Sequence, residues 1–289
     1  MEEERANRLQ KLAPDDAWLS CELRRAMYGP PLLQEQLYTT MIIDSMAVTK
    51  EDVNTLKNDW LTDNVICFWE EYLEREFLTA YKNSKIVLLR PSMSMMLSVT
   101  PDHAISTIKD VLPTFNGITH AFLPINDCTN PNQAEGGTHW SLLLVSIVDG
   151  VAFHYDSLPP GNEHEAANTT HKLSRLVNKP IRFIQLRDSP QQENSSDCGV
   201  FVCLNMRHLL LKRLLQVHTN EKVSMSLGGR RVDAREGRKE MFRTIEGFRK
   251  EGERRRSMSE SPHPGRSSKS PPRIDSPIGS VPSSPRRKS

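Results

Sequence analysis

Residues 192–199 read Gln-Glu-Asn-Ser-Ser-Asp-Cys-Gly, and an apolar run follows at once. Val200, Phe201, Val202, Leu204, Leu209, Leu210 and Leu214 recur so densely that the spacing predicts a buried helix entered through a polar turn. Cys198 then stands at the helix N-terminus. Unpaired backbone N–H groups and the positive end of the dipole favour a thiolate there. The thiolate is the reactive form of cysteine, so this is where a nucleophile belongs. Gly199 is expected to keep the approach to the sulfur open. The plainer reading, a packing cysteine, suits Cys203 inside the apolar run.

Two upstream segments supply partners. Gly136-Gly137-Thr138-His139-Trp140-Ser141 offers a base in His139, and Phe153-His154-Tyr155-Asp156-Ser157 offers an acid in Asp156. A positioned base near neutral pKa is worth about 10²–10⁴ in rate, and a buried carboxylate fixes its tautomer and stabilises its cation. His154 lies one register off the strand face that ends in Asp156. His103, His120, His164, His171, His208 and His218 fall in surface-like or helical contexts. Gln192, six residues before Cys198, can donate its amide to an oxyanion together with the Cys198 backbone N–H, a contribution of about 10²–10³ in turnover. Gln191 competes for that role. His, Asp, Gln, Cys in this order is the constellation of a papain-like thiol hydrolase.

These residues carry a resemblance. The segment from Leu123 to Leu143, which contains Asn126-Asp127 and Gly136-Gly137-Thr138-His139-Trp140-Ser141, resembles the base-containing strand of the Ulp/sentrin-specific proteases, which remove ubiquitin-like modifiers. Asp59-Trp60-Leu61-Thr62-Asp63, Phe153–Ser157 and Gln191–Cys203 agree with it, and the likeness runs from about Leu37 to Leu215. Within the family the segment before His139 is most similar to the deneddylase branch. Glu193, however, gives the glutamine-to-cysteine spacing typical of the desumoylating branch, and that spacing favours Gln192 over Gln191. The resemblance implies a papain-like α+β cysteine protease fold. It implies His139, Asp156, Gln192 and Cys198 as the catalytic set, and Trp140 as a roof over the modifier's Gly-Gly. Trp60 and Asp63 would line the same channel. Each substrate residue has a structural alternative: Trp140 as a core aromatic facing away from His139, Trp60 and Asp63 as helix entry and N-cap.

Charge divides the chain. Over residues 220–289 Lys and Arg outnumber Asp and Glu eighteen to nine; over 1–219 they are outnumbered twenty to twenty-seven. The expected organisation is an N-terminal extension at 1–35, with an amphipathic stretch from Asp15 to Met27, a protease domain at 36–218, and a disordered basic tail rich in Ser, Pro and Arg at 219–289. Five cysteines (Cys21, Cys67, Cys128, Cys198, Cys203) form no disulfide framework. The Met1-Glu-Glu-Glu-Arg start has no apolar core of a secretory signal. The expectation is a reduced protein of the nucleus or cytoplasm.

Helical spacing runs through Val65, Ile66, Phe68, Trp69, Tyr72 and Leu73, with Asp63 as N-cap. Strands are expected at Ile86–Leu89, Ala121–Ile125, Leu142–Val148, Val151–Tyr155 and Ile181–Leu186, and helices from Thr100 to Leu112 and Glu163 to Val177. The class is α+β, a small central antiparallel sheet flanked by helices. Asp149-Gly150 signals a two-residue hairpin turn. That turn places Asp156 opposite Leu143, four residues from His139 and about 13 Å away, too far for a hydrogen bond. A different register is required, and only the resemblance implies it.

No metal-ligand spacing, phosphate loop or dinucleotide fingerprint is present, so no cofactor or metal is expected. The expected activity is cysteine isopeptidase cleavage after the Gly-Gly of a ubiquitin-like modifier, the neddylation modifier first and SUMO second. The alternative of another class is a non-catalytic module that binds such modifiers. The tail's Ser-Pro sites (Ser261, Ser270, Ser276, Ser284) resemble those of proline-directed kinases, and Arg254-Arg255-Arg256 suits nuclear import, nucleic-acid contact or plain solubility. No membrane contact is expected.

Overall fold

The computed structural model describes residues 48–81, 84–128, 136–216 and 223–259. The N-terminal extension, its amphipathic stretch and the expected domain start at 36 lie outside them, as do residues 260–289.

The core is built on β2 (His120–Asn126) and β3 (Trp140–Ser146), paired antiparallel from His120↔Ser146 to Asn126↔Trp140. Their side chains alternate between two apolar clusters. Phe122, Leu142 and Leu144 face one; Ala121, Leu123, Ile125, Leu143 and Val145 face the other. Both faces are covered, which is why these strands read as unbroken apolar runs. β4 (Val151–Tyr155) pairs antiparallel with β3, while β1 (Ile86–Leu88) joins β2 and β5 (Arg182–Gln185) joins β4 in parallel. The five strands lie in the order β1-β2-β3-β4-β5. The expected antiparallel sheet is therefore corrected to a mixed one. The outer strands arrive through helical crossovers, α3 (Pro91–Val99) before β2 and α4 (Glu163–Leu176) before β5, and crossovers impose parallel pairing.

One face is covered by α3 and α4, the other by α2 (Asp63–Glu76) and α5 (Cys198–His208). The two helices lock together where the Trp69 indole donates to the Cys203 carbonyl at 2.9 Å and Arg207 lies 5.4 Å over its ring. Thr62, not Asp63, is the N-cap residue of α2. Its hydroxyl donates to Asp52, at the end of a capping box that opens α1 (Lys50–Thr55), and Asp63 becomes the first helical residue. The helix expected from Thr100 to Leu112 is a 3₁₀ stretch, Asp102–Ile108.

The expectation of a disordered chain from 219 onward is corrected over 223–259. α6 (Ala234–Ser259) packs on α5, burying Met241 and Ile245, with Leu227 buried ahead of it. Met241, Ile245 and Phe248 recur at helical spacing, but so many charged residues surround them that composition hid the stripe. Ending the chain after Gln216 removes three buried apolar side chains, about 5 kcal/mol of burial. The truncated chain should melt at least about 10 °C below the full one in thermal denaturation. An unchanged Tm would show that α6 adds nothing to the core.

Candidate active site

Cys198 is the first residue of α5, as its context predicts, and is almost wholly buried. The turn before it is self-bonded: Asn194 Oδ1 accepts from the backbone N–H groups of Ser196 and Asp197 at 3.0 Å. Gly199 serves a purpose other than the one expected. A Cβ there would stand 2.9 Å from Leu61 Cβ, so the missing side chain makes room for Leu61 rather than for a substrate.

His139 and Asp156 meet because the β3–β4 connection has four residues. Ser146 pairs with Val151 and Leu142 with Tyr155, so Asp156 follows on opposite Ser141, two residues closer to His139 than a two-residue turn would place it. Ser146 Oγ donates to Asp149 at 2.5 Å, and Lys179 Nζ donates to the Ile147 and Val148 carbonyls at 2.5 and 2.8 Å, holding the longer turn. The result is a buried His139 Nε2···Asp156 Oδ1 hydrogen bond of 2.7 Å.

The loop after Asp156 fixes the carboxylate. Leu158 N–H donates to Oδ1 and Asn162 N–H to Oδ2, both at 2.9 Å. The fully buried Asn162 side chain reaches back to the carbonyls of Ile125 and His139, at 3.0 and 3.1 Å. Gly161 lies against the pair: a Cβ would fall 2.4 Å from Asp156 Oδ2 and 2.8 Å from the His139 ring. Across the strand, Asp127 accepts from the Thr138 and His139 N–H groups at 2.5 and 3.0 Å, aligning the entry to β3. Sequence reasoning missed Asn162, Gly161 and the anchoring role of Asp127. The Pro-Pro-Gly-Asn turn behind Asp156 was the available signal.

Burial, the largest single influence on His139, pushes its pKa down. Hydrogen bonds and charge from Asp156 and Cys198 outweigh it and raise the pKa from 6.5 to about 9. For Asp156 burial is again the largest single influence but acts upward; the His139 hydrogen bond and the loop N–H groups outweigh it and leave the pKa below its ordinary value. Cys203 differs: burial pushes its thiol well up, as suits a packing residue.

Gln192 is buried and Gln191 exposed. Gln192 Oε1 accepts from Ser157 Oγ and Nε2 donates to the Asn194 carbonyl, both at 2.6 Å. Its amide is thus clamped between the Asp156 strand end and the Cys198 turn. Gln191 instead donates to the Asp156 and Ser189 carbonyls, at 3.1 and 2.7 Å. Trp140 is half-buried and packs on the core, Trp60 is 42% exposed, and Asp63 is half-buried at the start of α2. The Leu61–Gly199 contact sets the Trp60–Asp63 segment beside the start of α5. Among the described residues no three His, Cys, Asp or Glu side chains gather into a metal-holding group.

A cysteine at a helix N-terminus, electrostatically coupled to an imidazole that a buried carboxylate holds, defines the papain-like class of cysteine peptidases. Residues 59–227 match the model of the Ulp1 protease family, C-terminal catalytic domain, and the chain belongs to that family. It is similar to NEDD8-specific protease 2 of Schizosaccharomyces pombe, 36% identical over 205 residues that cover 69% of this chain and 48% of the relative. It is also similar to human sentrin-specific protease 8, 32% identical over 172 residues that cover 58% and 78%. The chain spans about half the length of the fission-yeast relative. The yeast Ulp1 protease domain solved in complex with Smt3 shares the fold at 18% identity, with a TM-score of 0.53 over 85% of this chain and 95% of that one.

The pair predicts a pH-dependent stability. His139 has a raised pKa, so its contribution is complete below about 6.5 and is lost as pH rises through about 9. Asp156 has a depressed pKa, so its contribution is present above its ordinary value and lost in stronger acid. The Tm gap between wild type and Asp156→Asn should therefore be widest in mildly acidic buffer and shrink towards alkaline pH. A gap independent of pH would contradict the ion-pair assignment.

Proposed function

We propose that this chain is a cysteine isopeptidase that cleaves after the C-terminal Gly-Gly of a ubiquitin-like modifier, and that the neddylation modifier is its substrate. The observation that carries the chemistry is the Cys198–His139–Asp156 line, built from a helix N-terminus and two strand ends. The Cys198 thiolate attacks the terminal glycine carbonyl, and its sulfur–carbon bond forms as the carbonyl electrons move to oxygen. The Cys198 backbone N–H and the second N–H of the Gln192 amide receive that oxyanion. As the carbon–nitrogen bond breaks, the His139 imidazolium gives its proton to the leaving amine. Neutral His139 then takes a proton from water, whose hydroxide displaces the thiolate and frees the modifier's carboxylate. Asp156 keeps the imidazole oriented throughout.

Trp140, Trp60 and Asp63 are proposed to line the channel, the indole of Trp140 over the glycines and Asp63 towards the modifier's basic tail. Cys67, Cys128, Cys198 and Cys203 are free thiols, which supports a reducing compartment such as the nucleus or cytoplasm. A module that merely binds modifiers has no use for a buried imidazole–carboxylate pair beside a cysteine.

The substrate choice rests on the segment before His139 and on the names of the relatives, two of them NEDD8-specific proteases of fission yeast. Glu193 favours SUMO by its spacing, and it is exposed on the turn. Activity probes made from the neddylation modifier, SUMO and ubiquitin separate the readings. The neddylation probe should label Cys198 at least about tenfold faster than the SUMO probe, equivalent to about 1.4 kcal/mol of transition-state discrimination. Cys198→Ala should abolish labelling. Faster reaction with SUMO would overturn the substrate choice, and labelling that survives in Cys198→Ala would overturn the nucleophile.

A further inference from the structure

We propose that Arg238, on α6, is a positioning residue for the nucleophile: it clamps the turn that ends in Cys198 and neutralises the carboxylate of Asp197, the residue before it. This rests on the peptidase reading above. α6 lies beyond residue 227, outside the segment that matches the Ulp1 family model.

Arg238 is 5% exposed, and its guanidinium uses all three of its nitrogens. Nε and Nη2 both reach Asp197 Oδ1 at 2.8 Å, Nη2 also donates to the Ser196 carbonyl at 2.8 Å, and Nη1 donates to the Thr55 carbonyl at 2.9 Å. One side chain therefore joins the end of α1, the nucleophile turn and α6. The other Asp197 oxygen accepts from Asn194 Nδ2 at 2.9 Å. With both oxygens engaged, Asp197 makes no side-chain cap to α5 although it occupies the N-cap position. The carboxylate is directed away from the N–H groups that would otherwise compete for it.

Charge makes the clamp more than a tether. Asp197 immediately precedes Cys198 in the chain, and an unneutralised carboxylate there opposes the thiolate that the reaction needs. Arg238 offsets that charge through its two contacts with Asp197 Oδ1. The helix comes close enough because residue 237 is glycine: a Cβ there would fall 2.6 Å from Leu204 Cδ1 and 3.1 Å from Val200 Cγ1. Gly237 seats α6 on α5, and the next residue reaches the turn.

The test uses the full chain and two readouts, turnover of a fluorogenic amide of the neddylation modifier and alkylation of Cys198 by iodoacetamide, with Cys198→Ala as the blank. Arg238→Ala should lower kcat by about 10–100-fold while KM stays within about twofold, because the modifier's body binds elsewhere. Alkylation at neutral pH should slow by about tenfold, reflecting the smaller thiolate fraction. Arg238→Lys should recover part of the loss, since it keeps the charge but not the fork. Adding Asp197→Asn to Arg238→Ala should restore the alkylation rate, because the opposing charge is gone although the tether is still missing. If Arg238→Ala does not fold, Arg238→Lys and Asp197→Asn decide the matter by the same readouts. A lowered Tm with kcat and alkylation unchanged, or a double variant no faster than the single, would overturn the proposal. A wild type inert to every modifier probe would defeat the peptidase reading alone, leaving alkylation to judge the clamp.

Discussion

The register between β3 and β4 is the constraint on which the site depends. Strand side chains alternate faces, so a slip of one residue would turn Asp156 away from His139 altogether. A slip of two would keep the face but add about 7 Å to the separation, far beyond a hydrogen bond. The observed register is held from outside the hairpin, by Lys179 donating to two turn carbonyls, as well as from within it by Ser146 and Asp149. A lysine between α4 and β5 thus helps decide whether a carboxylate at the far end of β4 meets its imidazole.

The rest of the site is arranged around that pair in layers. Asn162 ties the His139 carbonyl to the loop that donates to Asp156, so strand entry and acid move as one body. Gln192 is pinned between Ser157 and Asn194, linking the acid's strand end to the nucleophile turn. The nucleophile side is anchored independently, by Leu61 against Gly199 and by Trp69 bonded to the Cys203 carbonyl. The two halves of the proposed chemistry belong to different packing units, strands for the imidazole and carboxylate, helices for the sulfur, and they meet at one end of the sheet.

Much of this was legible in the chain. β2 to β4 stood out because they are covered on both faces, and the start of α5 because a polar turn gives way abruptly to a buried helix. The turn was not legible. Ile147 is buried in the core beyond the last β3 pair and Val148 is apolar, so both imitate strand residues and leave Asp149-Gly150 looking like the whole connection. Lys179, which holds the true turn, is some thirty residues away and nothing local points to it. α6 escaped for a different reason: its apolar stripe is only a few residues wide within a strongly charged segment, and tertiary packing makes it a core element. Trp140 and Trp60 kept both of their readings, since one position can serve packing and a ligand alike, while Asp63 lost its N-cap reading to Thr62.

The place of α6 in the chain bears on how the protein is made. A ribosome delivers the strands, the imidazole, the carboxylate and the cysteine before it delivers Gly237 and Arg238, and folding tends to proceed as segments emerge. Until α6 arrives, the surface of α5 around Val200 and Leu204 has no cover, and the Asp197 carboxylate has no guanidinium. On the proposal above, a nascent chain can therefore hold a sulfur already in place yet not fully primed, and competence comes with the helix that carries Gly237 and Arg238.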